Sequence, residues 1–193
     1  MAVSRLSQQS LQNAFPKGNT VWDGTTATAS MDSLGSAYIS SATNSITFSS
    51  IPQTYQHLVV RGVYVGTSVN DDVRVQFNSI TTNAYSIHGL YGIGNASTPN
   101  TTYGFTQSFM YLTTNAGDTN NPASSVCEVL DYTNTNKYKV IRAISGFDRN
   151  GSGGQIQFYS GSYQQTTAVS IIKIYAATGN LGVGTRYSLY GVK

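Results

Sequence analysis

The chain has 193 residues, of which only 10% are charged, with 11 Lys and Arg set against 8 Asp and Glu for a net charge of +3 at pH 7. Soluble globular domains usually carry roughly 25% charged residues, so the polar surface here must be built from Ser, Thr, Asn, Gln, Gly and Tyr. A positive charge this small and scattered excludes phosphate-backbone binding, which needs a clustered basic stripe, and no run approaches the roughly 20 apolar residues of a membrane span. No nucleic acid partner and no membrane span are expected.

Residues 1–33 read as an N-terminal arm. They lack β-branched alternation and are broken by Phe15-Pro16, Gly18 and Gly24. Val3, Leu6, Leu11 and Phe15 are spaced for an amphipathic turn or two, too little to hold a helix alone in water. Trp22, the only tryptophan, is a large aromatic in a polar tail with no core of its own. Leu6, Leu11, Phe15 and Trp22 are therefore read as an assembly anchor that orders against a partner, the alternative for Trp22 being packing onto the domain's own outer face. The first ten residues lack the apolar core of a signal peptide, so the protein is expected to leave a cell by lysis or within an assembled particle.

Residues 34–193 read as one domain. From Leu34 the apolar residues recur with period two, predicting strands over 45–49, 58–65, 72–78, 104–112, 125–131, 139–145, 155–160, 169–175 and 186–192. In the third of these Val73, Val75 and Phe77 share one face. The second, Leu58-Val59-Val60-Arg61-Gly62-Val63-Tyr64-Val65, is apolar on both faces and reads as a central strand with a covering layer on each side. Turn clusters separate them, and Asp148 to Gly154 reads as a hairpin loop rich in residues that tolerate positive φ. Gly92-Ile93-Gly94 and Gly182-Val183-Gly184 read as loops. Nine or ten short strands and no interior helix predict an all-β fold, an antiparallel β-sandwich of jelly-roll-like kind with an extended N-terminal arm. The missing crossover helices exclude a parallel α/β sheet.

Eight carboxylates and two histidines are a thin inventory for an enzyme. There is no nucleophile elbow, no His-Glu-x-x-His and no paired-cysteine zinc spacing. No catalytic residue, cofactor or metal is expected. His57 and His88 read as hydrogen-bonded strand or loop residues. Asp71-Asp72 and Asp148-x-Asn150 place oxygens in loops but read as turn residues bonding their own backbone. The lone Cys127 sits in an alternating run as a small hydrophobe, and with one cysteine no internal disulfide can form. Fourteen tyrosines are the notable excess. Tyr85, Tyr91, Tyr103, Tyr132 and Tyr163 read as lying in or beside loops, and Tyr91, Tyr103 and Tyr163 are candidates for surface recognition, including stacking on sugars. The competing reading is cross-strand packing, which Tyr64, Tyr175, Tyr187 and Tyr190 follow.

Five segments together carry a resemblance. They are Ile46-Thr47-Phe48-Ser49-Ser50-Ile51-Pro52-Gln53-Thr54-Tyr55-Gln56-His57-Leu58, then Tyr85-x-x-His88-x-Leu90-Tyr91-Gly92, Asn134-Thr135-Asn136-Lys137-Tyr138-Lys139, Asp148-Arg149-Asn150-Gly151-Ser152-Gly153 and Arg186-Tyr187-Ser188-Leu189-Tyr190-Gly191. Across about residues 34–193 the chain resembles a family of small β-rich proteins of tailed phages, virion structural or tail-fibre-like in kind. That family commonly places an aromatic before the histidine, where Ile87 stands here. The resemblance implies a bacteriophage virion protein made in the host bacterial cytoplasm, self-associating, as a trimer by analogy, and contacting tail, collar or capsid proteins. The leading expectation is a tail- or fibre-type appendage held by its arm, with loops turned toward a host surface glycan. Capsid decoration and carbohydrate binding are the alternatives.

Overall fold

The computed structural model describes residues 31–94, 99–116, 118–149 and 153–193. The anchor residues Leu6, Leu11, Phe15 and Trp22 lie outside the described residues. Among the described residues there are twelve strands and no helix: β1 Met31–Tyr38, β2 Ser45–Phe48, β3 His57–Tyr64, β4 Asp71–Phe77, β5 Tyr85–Ile93, β6 Asn100–Gln107, β7 Met110–Ala116, β8 Ala123–Leu130, β9 Lys139–Phe147, β10 Gln155–Tyr163, β11 Ile172–Ala176 and β12 Arg186–Val192. Every pairing is antiparallel. The strands form two facing layers, the sandwich expected from the period-two pattern. The layers are unequal: an eight-stranded sheet in the order β1-β12-β3-β8-β9-β10-β5-β6 and a four-stranded sheet in the order β2-β11-β4-β7.

Alternation decides what the core contains. In β8 and β9 the odd-numbered residues are buried and the even-numbered ones turn outward. Leu58 and Val60 of β3, Val129 of β8, Ile141 of β9 and Leu189 of β12 meet Val73, Val75, Met110, Leu112, Ile172 and Ile174 from the smaller sheet. β3 lies well inside the large sheet, between β12 and β8, the central position expected of it. Cys127 is buried, and burial pushes its thiol up to about 12.

Three elements differ from the sequence reading. The run 104–112 is two strands in different sheets, β6 and β7, joined at Ser108-Phe109, where Gln76 Nε2 donates to the Ser108 carbonyl at 2.9 Å. A change of parity marks the break, since Tyr103 and Phe105 point one way and Met110 and Leu112 begin a new phase. β5 spans residues read as strand or loop, including Gly92 and Ile93, and pairs along its whole length with β10. Its Gly89 lets the ring of Tyr159 lie flat on the sheet, because a Cβ there would stand 2.6 Å from that ring. Finally, β1 begins at Met31, so residues 31–33, assigned to the arm, belong to an edge strand paired with β12. Its Ser- and Gly-rich sequence carries little strand signal, and the ladder with β12 supplies what propensity does not.

Polar groups also cross the core. Gln157 of β10 is 1% exposed, and its Oε1 accepts from Thr113 Oγ1 (3.0 Å), the Thr114 N–H (2.9 Å) and Ser145 Oγ (2.9 Å). Its Nε2 donates to the Thr114 carbonyl at 2.6 Å and to Gln155 Oε1 at 2.7 Å. The amide thus stitches β7 of the small sheet to β9 and β10 of the large one. Lys139 is fully buried, with Nζ donating to the carbonyls of Asn134 and Thr166 (2.6 Å each) and Gln165 (3.2 Å). Desolvation draws its ammonium below the usual lysine range.

Candidate functional site: the apolar outer face of the large sheet

The outward residues of the central and β6-side strands are not the polar set that a solvated sheet face carries. Val126 of β8 pairs in register with Ile144 of β9, Ile144 with Phe158 of β10, and Phe158 with Leu90 of β5. These four side chains form one unbroken row across four adjacent strands, each 39–57% exposed. Ile156, 70% exposed, stands one pleat along, opposite Gly146. Val140 adds to the same face from β9. At the β6 edge Tyr103 and Phe105 are both exposed, with ring centroids 5.5 Å apart, and Phe105 meets His88 edge-on at 5.8 Å.

Beside the apolar row lies a polar one. Glu128 of β8 pairs with Arg142 of β9 at 2.7 Å, and the row continues through Ser160 and His88 to Tyr103. Arg61 and Arg186 close the face on its β3 and β12 side. Two shallow depressions mark the surface, one of about 560 Å³ between Leu90, Tyr103, Phe105 and Phe158, the other of about 600 Å³ between Arg61, Val126, Ile144, Ile156 and Tyr190. Scattered apolar residues on a surface need no explanation, but a contiguous apolar patch is the kind of surface that interaction sites present.

The three tyrosines expected to form a recognition surface are not brought together. Tyr103 is on the outer face, 71% exposed. Tyr91 faces the other way, half-buried beside Asp72, Tyr111 and Tyr159. Tyr163 is a correction: it is 1% exposed and packs in the core against Phe77 and Tyr85, with centroids 5.4 and 5.1 Å away, so it cannot stack on a ligand. Tyr85 and Tyr132, also read near loops, are buried too. The Tyr85 hydroxyl accepts the Phe77 N–H at 2.8 Å, and the Tyr132 hydroxyl donates to the Pro52 carbonyl. A buried tyrosine at a strand end places its ring in the core and its hydroxyl on a nearby backbone group, and that demand is indistinguishable in sequence from a loop tyrosine.

Period two alone does not reveal this face, because an alternating strand is expected to turn a polar half to water. The signal was available in the identity of those outward residues: Val126, Val140, Ile144, Ile156 and Phe158 stand where Thr, Lys or Glu is usual.

Asp71 and the His57–Asp131 pair are occupied elsewhere. Asp71 is buried, with Oδ1 accepting the N–H groups of Asp72 and Thr178 and Oδ2 that of Gly179, which ties the turn after β11 to the start of β4. His57 Nδ1 accepts the Asp131 N–H at 2.9 Å, and Asp131 Oδ2 pairs with Lys137 at 2.5 Å. The Lys137 ammonium holds the Asp131 carboxyl below the usual range. Among the described residues no three His, Cys, Asp or Glu side chains cluster for a metal.

Comparison with family models, curated proteins and solved structures returned no match.

Proposed function

We propose that the chain is a structural protein of a bacteriophage particle, a tail- or fibre-type appendage subunit. Its N-terminal arm grips a neighbouring virion protein through Leu6, Leu11, Phe15 and Trp22, while the sandwich packs against copies of itself. The observation that carries this reading is the Val126–Ile144–Phe158–Leu90 row, an exposed apolar surface on a domain with very few charges to keep other protein surfaces away. The phage assignment adds the resemblance of residues 34–193 to small β-rich virion proteins. The test is deletion of residues 1–25: the truncated chain is expected to fold and to be missing from purified particles. Normal incorporation of the truncated chain refutes the anchor. Copy number separates the appendage from a capsid decoration protein, a few to a few dozen per particle against hundreds.

A second reading, carbohydrate binding, is favoured by one observation, the exposed pair Tyr103 and Phe105 beside the hydroxyls of Thr101 and Ser160 in one depression. Under it, Tyr103→Ala abolishes glycan-array signal and reduces adsorption to the host. A silent array together with unchanged adsorption removes it.

A further inference from the structure

We infer that the apolar outer face receives a second copy of this chain, about a twofold axis running along the strands between β9 and β10. The inference rests on the self-packing part of the proposed function and names the surface that does it. The eight exposed apolar side chains of the face present about 800 Å², which is the area each partner contributes to a stable interface.

The layout of the face is complementary to itself under that rotation. Facing sheets keep their mean strand directions within about 30° of each other, so β9 lies over the partner's β10 and β8 over its β5. Val126 then meets Leu90, Ile144 meets Phe158, and the apolar row lies on its own copy. Ile156 falls on Gly146, a projecting side chain over the one outward position of β9 that has none. Glu128 faces His88, Arg142 faces Ser160, and Arg61 comes over Thr101, one pleat from Tyr103, so the charges meet polar partners. A twofold axis lying across the strands also lays the apolar row on its own copy, but it sets Ile144 on Ile144 and Ile156 on Ser160, and it covers the Glu128–Arg142 pair with Ser124 and Gly146, which offer that pair fewer hydrogen bonds than His88 and Ser160.

The test is analytical ultracentrifugation of the full chain from about 1 to 100 µM, with light scattering for the mass. Wild type is expected to be a dimer. Ile144→Asp is expected to weaken it at least about tenfold while the circular dichroism spectrum stays unchanged, since the residue faces solvent in the monomer, and the thermal midpoint falls by the share the dimer contributed. Val126→Glu alone and Leu90→Lys alone are expected to be monomers and the double variant a dimer. The two positions are three strand spacings apart in one chain, about 14 Å, so the restored pairing can only be between copies. A monomeric or trimeric wild type, a dimer indifferent to Ile144→Asp, or a double variant that stays monomeric overturns the inference. Arm deletion and this dimer are read in separate experiments, so either idea can fail alone.

Discussion

Replacing Gln157 by leucine removes the polar clamp between the layers while keeping the side chain's approximate volume. Gln157 makes five hydrogen bonds, and two of its partners have no water to turn to: Thr113 is fully buried and Ser145 nearly so. Rotation can redirect the two hydroxyls, but the Thr114 N–H and carbonyl are fixed by the backbone of β7. An unsatisfied buried group costs about 1–3 kcal/mol, and the added apolar burial returns only about 1 kcal/mol, so for these two backbone groups a net loss of about 1–5 kcal/mol is expected. That is a large share of the roughly 5–15 kcal/mol that holds a domain folded. With a urea slope of about 2 kcal/mol per molar, the unfolding midpoint falls by about 0.5–2.5 M with the slope unchanged. Ser145→Ala is expected to cost about 1 kcal/mol in wild type and nothing in the Gln157→Leu background, where its acceptor is already gone. A midpoint shift under about 0.5 M, or full additivity of the two changes, would refute the clamp.

Tyr64→Phe should leave stability unchanged or raise it by about 1 kcal/mol, because the buried Tyr64 hydroxyl has no hydrogen-bond partner; a loss above that in thermal or urea unfolding contradicts this. Gly62→Ala should destabilise by several kcal/mol on the order of other overpacked cores, since its Cβ would stand 2.2 Å from the Tyr187 ring and 2.5 Å from the Arg186 carbonyl; a soluble variant of wild-type stability sinks the packing. Burial pushes Tyr159 and Tyr187 up to about 12, chiefly by desolvation. In the unfolded chain they ionise near 10, so their contribution is complete below about pH 10 and is lost as pH rises toward 12, about 3 kcal/mol for Tyr187. Ultraviolet titration should show these rings ionising together with cooperative unfolding, and ionisation of every tyrosine near pH 10 with the fold intact would contradict the burial.

The alternation of β4, β8 and β9 was legible residue by residue, and with it the all-β class, because a strand half in water must repeat every second residue. The break between β6 and β7 was visible only as a change of parity at Ser108-Phe109. β1 and β5 were scarcely visible, since Gly35, Gly89 and Gly92 contribute backbone to a ladder and no side-chain pattern to a strand. Gln157 and Lys139 read in sequence as ordinary polar strand positions, and their burial depends on partners as far as 44 and 27 residues away.

Composition and periodicity by themselves determined that this chain is a charge-poor β protein with two-sided strands. Only the tertiary structure decided which side each tyrosine took and that Val126, Ile144, Phe158 and Leu90 fall in one row. The physical reason is register: period two says that alternate residues share a face, but the long-range ladders joining β8, β9, β10 and β5 set which residues of different strands stand side by side.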